Sequence, residues 1–317
     1  MKKLIWFLLF LLVAGTAAIY LLIPQIIQFS SVTTVHTTDN GTQRFLIDET
    51  KWAKWWHFTD NQKDIAENKS DSLFEMNGDR YQLKEKFYKS ASISIYHHND
   101  SLNSRITIIP LQLDSTAIEW TASLQAGYNP VKRLTAYLQA KEMVKNMNAV
   151  LAHLRSFLSH NENIYGLNIE KVSILDTMFV AGKNFLKIPP TTADIYQLIK
   201  KIQQYAAEKG VKQSGSPIYN VTVMDKDKYQ LMAAIPIHQV VPEEKGFTIK
   251  KMVQGSFMSA DVMGGEHTVA NASEKLHEFF NDFHKTSMAM NFNMLITDRT
   301  LQPDTSRWVT KLYMPVY

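Results

Sequence analysis

The 317-residue chain contains no cysteine, which removes disulfide bonds, thiol nucleophiles and zinc–thiolate sites together. It also lacks a strong charge of either sign. Lys and Arg number 34 against 30 Asp and Glu, a formal net charge of +4, and the basic residues are scattered rather than gathered on the clustered face of a nucleic-acid binder. The doublets Lys200-Lys201 and Lys250-Lys251 read as solvated surface. Signatures of common catalytic machinery are missing as well. There is no HExxH pair, GxSxG elbow, P-loop or dinucleotide fingerprint, and Gly264-Gly265 stands too isolated to cradle a phosphate. The 10 histidines show no zincin spacing. His277 with His284, and His153 with His160, read as solvated positions beside apolar helix stripes, and His97-His98 as a hairpin end with opposed side chains. No metal, no cofactor and no nucleic-acid partner is expected.

What the chain does have is one long hydrophobic run. Leu4 to Ile23 carries no charged residue and has the length, about 20 residues, that a helix needs to cross a bilayer. A cleaved secretory signal is the alternative, given the basic Met1-Lys2-Lys3 leader and the small residues Ala14, Gly15, Ala17 and Ala18. Leu21, Leu22 and Ile23 continue the apolar run past those small residues, which favours a retained anchor. Lys2 and Lys3 precede the span and no further Lys or Arg occurs until Arg44, so the N-terminus is expected in the cytoplasm and the body outside.

The remainder is long enough for two domains of about 100 to 200 residues. Val32–Thr38 reads as a strand, followed by a helical segment with Trp52, Trp55 and Trp56 at one-turn spacing. Asn77-Gly78 is a strong hairpin signal, and alternating runs at Ser92–Ile95, Arg105–Ile108 and Ile118–Thr121 point to an antiparallel sheet with one buried face. Asn129-Pro130 caps a long helix whose stripe runs through Val131, Leu134, Leu138, Val144, Met147, Leu151, Leu154 and Leu158, ending before Gly166. After Ile169 a pattern of strand, helix, strand, strand occurs twice, offset by roughly 80 residues. The first helix carries Ile195, Leu198, Ile199, Ile202 and Tyr205 on one face, and the second Ala272, Leu276, Phe279, Phe280 and Phe283.

Two resemblances follow. The order strand, aromatic helix, meander, long helix over Ser31 to about His160, with the segment FLIDETKWAKWW (45–56), resembles the helix-grip fold of the SRPBCC (START-like, polyketide cyclase-like) superfamily. That resemblance implies a hydrophobic cavity between sheet and long helix. The segment LITDRTLQPDTSRWVTKLYMPV, with Thr297-Asp298, Pro303-Asp304, Trp308 and Pro315-Val316, resembles the closing segment of the GyrI-like (AraC-type effector-binding) domain, over Leu167 to Tyr317. Gly264-Gly265-Glu266-His267 resembles that family's approach to its second helix. The resemblance implies a small-molecule cleft opposite the helices, and a glutamate five residues before the aspartate of the acidic loop in members that bind cations or hydrolyse electrophiles. Here that position is Asn293, an amide that neither neutralises a cation nor serves as a general base.

The expected fold is α+β: a transmembrane anchor (1–30), a helix-grip antiparallel sheet domain (31–165) and a duplicated β-α-β-β effector-binding-like domain (167–317). The expected function is non-enzymatic binding of a hydrophobic or aromatic small molecule by a membrane-anchored, extracytoplasmic body. Tyr219, Glu266, His267, Asn293, Trp308 and Tyr313 are the candidate ligand-binding residues, with Tyr313 facing the cleft. The alternative is a hydrolase or detoxifying enzyme in which Glu266 or His267 replaces the missing glutamate.

Overall fold

The computed structural model describes residues 2–56, 73–98, 100–174, 178–244, 246–252, 254–287 and 289–316. It is a mixed α and β protein that divides into two compact units, Met1–His160 and Asn161–Tyr317.

The first unit opens with helix α1 (Lys2–Leu22), most of whose large side chains are exposed. The helix is long and apolar enough to cross a membrane, a test that a signal sequence also passes. Strand β1 (Ile26–Val35) follows after a three-residue step, earlier than the expected start at Val32. It can begin there because Ile27 is already core: with Ile23, Ala126, Ala136 and Ala140 it forms a small buried cluster, against which Ile19 of α1 packs. Helix α2 (Asp39–Leu46) and a short 3-10 turn (Glu49–Lys54) lead towards the meander β2 (Phe74–Met76), β3 (Asp79–Phe87), β4 (Ser90–His97), β5 (Asp100–Gln112) and β6 (Ser115–Gln125). The six strands form an antiparallel sheet in the order β1-β6-β5-β4-β3-β2. Register shifts at Leu83/Glu85 and Pro110/Gln112 are the irregularities that let such a sheet curl. Asn77 and Gly78 both have positive φ at the β2–β3 turn, as an Asn-Gly hairpin requires.

The long helix α3 (Pro130–Leu158) is capped by Asn129, whose side chain accepts from the N–H groups of Val131 and Lys132. Its second half buries Met147, Leu151, Leu154 and Leu158 as expected, but Val131, Leu134 and Leu138 are exposed. The first turns present Arg133, Ala136 and Ala140 inward instead. Small alanines let the start of the helix approach the end of α1, a contact that larger side chains would hold apart. Arg133 is buried, donates to the carbonyls of Gly127 (2.9 Å) and Ile23 (3.0 Å), and lies 4.7 Å over the ring of Tyr20.

In the first unit an aromatic cluster of Trp52, Trp55, Trp56, Phe74, Tyr81 and Trp120 is buried, with neighbouring ring centroids 5.1 to 5.8 Å apart. The indole N–H groups of Trp52, Trp55 and Trp56 donate to the carbonyls of Leu46, Phe45 and Glu75 at 2.8 to 2.9 Å, so these rings are buried with their one polar atom satisfied.

The second unit begins with the short helix α4 (Asn161–Tyr165) and strands β7 (Glu170–Ile174) and β8 (Met178–Leu186). Tyr165 joins this unit's core, bonding Asp282 at 2.8 Å and meeting Phe279 edge-on. Then come α5 (Thr192–Glu208), β9 (Ile218–Asp225), β10 (Lys228–Ile237), β11 (Phe247–Lys251), β12 (Gly255–Met263), α6 (Glu266–Asp282), β13 (Phe292–Leu295) and β14 (Val309–Val316). The eight-stranded antiparallel sheet has the order β11-β8-β10-β9-β13-β14-β12-β7. The sequence order strand, helix, strand, strand recurs as β8-α5-β9-β10 and β12-α6-β13-β14, and the two sets meet at the β9–β13 pairing. Helix α5 starts on a capping box between Thr191 and Asp194 and buries the expected Ile195, Leu198, Ile199, Ile202 and Tyr205.

Candidate functional site

Cross-strand register decides which side chains of the second unit share a face. Ala233 pairs with Tyr219, Tyr219 with Asn293, Asn293 with Leu312, and Leu312 with Ala260. Directly opposed residues project to the same side of an antiparallel sheet, so this row lies on one face. Ala233 and Tyr219 pack with Ile195, Ile199 and Ile202 of α5, which makes it the helix-bearing face. The cleft containing Asn293 is therefore on the helix side of the sheet, where the sequence reading expected the opposite side. Two helices over an eight-stranded sheet leave a gap above its central pair of strands.

That gap is a cavity of about 410 Å³. Its floor is Tyr219, Asn220 and Val221 of β9 with Asn291, Phe292 and Asn293 around β13; one wall is Pro189, Pro190 and Ile195; the other is Glu266, His267, Val269, Ala270 and Ser273 of α6. Four of the six candidate residues, Tyr219, Glu266, His267 and Asn293, thus line one cavity. Tyr219 is buried, Asn293 half-buried, and Glu266 and His267 exposed on the α6 wall. The Asn293 amide makes no side-chain hydrogen bond among the described residues, so its donor and acceptor face the cleft unused. Its neighbour Asn220 is committed: its amide donates to the carbonyl of Asn291 at 2.8 Å and its oxygen accepts from Thr222 at 2.8 Å.

Tyr313 does not join them. It pairs with Phe292 in register, stacks on it with centroids 4.9 Å apart, and meets Phe257 edge-on, all on the face opposite Asn293. Strand alternation forces this, because Leu312 is the β14 residue paired with Asn293. Burial pushes the Tyr313 hydroxyl pKa up, Lys311 opposing and Asp261 adding to the shift. Trp308 also lies outside the cleft, before β14 begins. Its indole donates to the carbonyl of Gln302 at 2.8 Å and its ring lies 4.7 Å from the guanidinium of Arg299.

Arg299 was not legible as a site-supporting residue. It is buried and donates to Thr192 at 3.1 Å and Thr310 at 2.8 Å. Thr192 in turn donates both its backbone N–H and its hydroxyl to Glu266. The Glu266 carboxylate thus sits at the first turn of α5 although it belongs to α6, and it ties the two helix starts across the cleft. A carboxylate at a helix N-terminus also complements the helix dipole. The Arg299 backbone N–H donates to Tyr196 Oη at 2.8 Å, and Tyr196 has its pKa raised chiefly by burial. Gly264 supplies the entry to α6: its φ is +133°, and a Cβ there would meet Thr268 Oγ1 at 2.7 Å, so only glycine fits.

On the opposite face, Phe179, Ala181, Ile218, Met252 and Met290 line a second, smaller hollow of about 180 Å³.

The architecture is that of two antiparallel sheets, each with helices packed on it, and a cleft in the second. No family model matches the sequence, and no curated protein matches it. Solved structures are similar to parts of this chain. The EcmrR C-terminal domain is 13% identical, covering 48% of this chain and 98% of its own, with a TM-score of 0.42. SAV2435 bound to tetraphenylphosphonium is 13% identical, covering 47% of this chain and 93% of its own, with a TM-score of 0.32. A START superfamily protein from Mycobacterium smegmatis is 12% identical, covering 40% of this chain and 98% of its own, with a TM-score of 0.26. At this distance the likeness assigns neither family nor activity.

Proposed function

We propose that this chain is a membrane-tethered binding protein that holds a flat, neutral or weakly polar aromatic molecule in the cleft between α5 and α6. The observation that carries the reading is the 410 Å³ cleft itself, a size typical of small-molecule sites, with an unused amide at Asn293 beside the Tyr219 ring. One ring and one amide suit a guest that stacks and exchanges a single pair of hydrogen bonds, stacking contributing about 0.5 to 1.5 kcal/mol beyond area burial. Tethering rests on α1, whose end is joined to the folded body: Ile19 of α1 packs on the cluster around Ile23, the residue after the helix, which is buried with its carbonyl held by Arg133. The body is extracytoplasmic in this reading, from the Lys2-Lys3 leader.

A hydrolytic role would need Glu266 or His267 as a base. Glu266 is already engaged by Thr192, and His267 Nδ1 lies 3.2 Å from the Asn271 amide, so binding is the reading retained. Calorimetric titration of the full chain in detergent with a panel of neutral aromatic compounds tests it. A hit should bind wild type and fail to bind Ser273→Trp, whose indole would fill the cleft. Equal affinity for both proteins refutes the assignment of the cleft.

A further inference from the structure

At the tip of the β4–β5 hairpin in the first unit lies a polar cluster that the cleft does not use. Asp79 and His97 are each about 2% exposed. Asp79 Oδ1 lies 2.5 Å from His97 Nδ1, while Oδ2 accepts from Asn146 at 2.8 Å and Tyr81 at 3.4 Å. The Asp79 contact at Nδ1 and the Asn146 contact behind it fix the orientation of the carboxylate and leave Nε2 as the ring nitrogen turned away from it. That nitrogen is buried and has no hydrogen-bond partner among the described residues. The carboxylate nearest to it is Glu142 Oε2 of α3, at 3.9 Å, beyond hydrogen-bond range.

His98, the next residue, lies in the turn between His97 and its partner Asp100, with φ of +50°. Turns of this kind favour Asn or Gly. The positive φ brings the His98 ring within 4.3 Å of the His97 ring, centroid to centroid, where plain strand alternation would have opposed them. One donor atom each from His97, His98 and Glu142 then falls within 4.8 Å of the others.

We propose that His97, His98 and Glu142 bind one divalent transition-metal ion, with zinc the ion their chemistry suits best. Two imidazoles and one carboxylate are a known zinc donor set that leaves the fourth position to water. Ligand atoms about 2.1 Å from one ion lie at most about 4.2 Å apart, so the site closes by rotation of the exposed His98 and Glu142 side chains. Asp79 completes it from behind. A carboxylate on the far nitrogen of a ligating histidine sets the ring's orientation and raises its basicity, and the unpartnered buried Nε2 is the atom that gains a ligand. The bound ion would pin the hairpin tip to α3.

The test uses the full-length, untagged chain in detergent micelles, with zinc and cobalt(II) as probes. Equilibrium dialysis should find one zinc ion per chain at micromolar free zinc, and cobalt should give visible ligand-field bands. His98→Ala and Glu142→Gln alter exposed side chains and leave the buried Asp79–His97–Asn146 network intact, so both should fold. Each should weaken zinc binding by about tenfold or more and abolish the cobalt bands and any zinc-induced rise in melting temperature. Absence of binding at micromolar zinc overturns the proposal and leaves His97 and Glu142 as neighbours without an ion. Binding unchanged in both variants also overturns it, by placing the metal on other histidines.

Discussion

Asn293→Glu converts the neutral floor of the cleft into a charged one, and the size of the effect follows from its position. A carboxylate and a monocation about 4 Å apart attract by about 1 kcal/mol in water and about 4 kcal/mol at the effective dielectric of a protein surface. Asn293 is half-buried on β13, between Tyr219 and Leu312 in the cross-strand row, so the gain should fall between these limits. A gain of about 2 kcal/mol corresponds to about 30-fold tighter binding. Fluorescence titration of a cationic aromatic dye against wild type, Asn293→Glu and the isosteric control Asn293→Gln measures it. The glutamate variant alone should gain affinity, and neutral aromatic compounds should gain none. If wild type binds the dye as tightly as the glutamate variant, the reasoning fails: another carboxylate serves the cleft, and Glu266→Gln would show whether it is Glu266.

Four further expectations can be checked separately. Burial first, then the charge of Asp79 and its hydrogen bond, raise the pKa of Tyr81 far above the ordinary 10.0; with the folded value above the unfolded one, this stabilisation is complete below about pH 10 and lost as pH rises beyond it. Ultraviolet titration should therefore show tyrosine absorbance that appears only with alkaline unfolding, reduced by one residue's worth in Tyr81→Phe. Trp52→Ala empties the centre of the aromatic cluster and should cost about 3 to 5 kcal/mol in denaturant unfolding; a loss below about 1 kcal/mol would mean that the cluster repacks. Residues 161–317, expressed alone and including α4, should give a cooperative thermal transition, and failure to fold would show that the second unit depends on the first. An alkaline phosphatase fused after Tyr317 should be active outside the cytoplasm, whereas activity of a cytoplasm-only reporter would reverse the orientation.

Periodicity and turn chemistry carried most of the secondary structure. The Asn77-Gly78 turn, the Asn129 cap and the apolar stripe of α5 depend on neighbours a few residues away and are present where the sequence places them; the stripe of α6 holds through Phe280, with Phe283 falling at the helix end. Properties set by distant pairing were not legible. Whether Tyr313 faces the cleft depends on which β14 residue opposes Asn293, and no local pattern fixes that register. The inward turn of Arg133 at the start of α3 depends on a carbonyl 110 residues away in the chain. Arg299, with its threonine and tryptophan partners, has no motif at all. The His97-His98 pair misled for a different reason: strand alternation predicts opposed rings, and the positive φ of His98 cancels it.

The step from α1 to β1 is only three residues long, and Arg133 clasps the end of the helix to the start of α3. A flexible tether lets a domain wander over a distance that grows as the square root of the tether's length; this junction leaves almost nothing to wander with. With α1 in a bilayer, the helix and the first unit turn as one body. A helix changes its tilt when bilayer thickness changes, and here that tilt would swing the whole first sheet through the same angle. With α1 so placed, the clasp at Arg133 would make the helix a lever arm as well as an attachment.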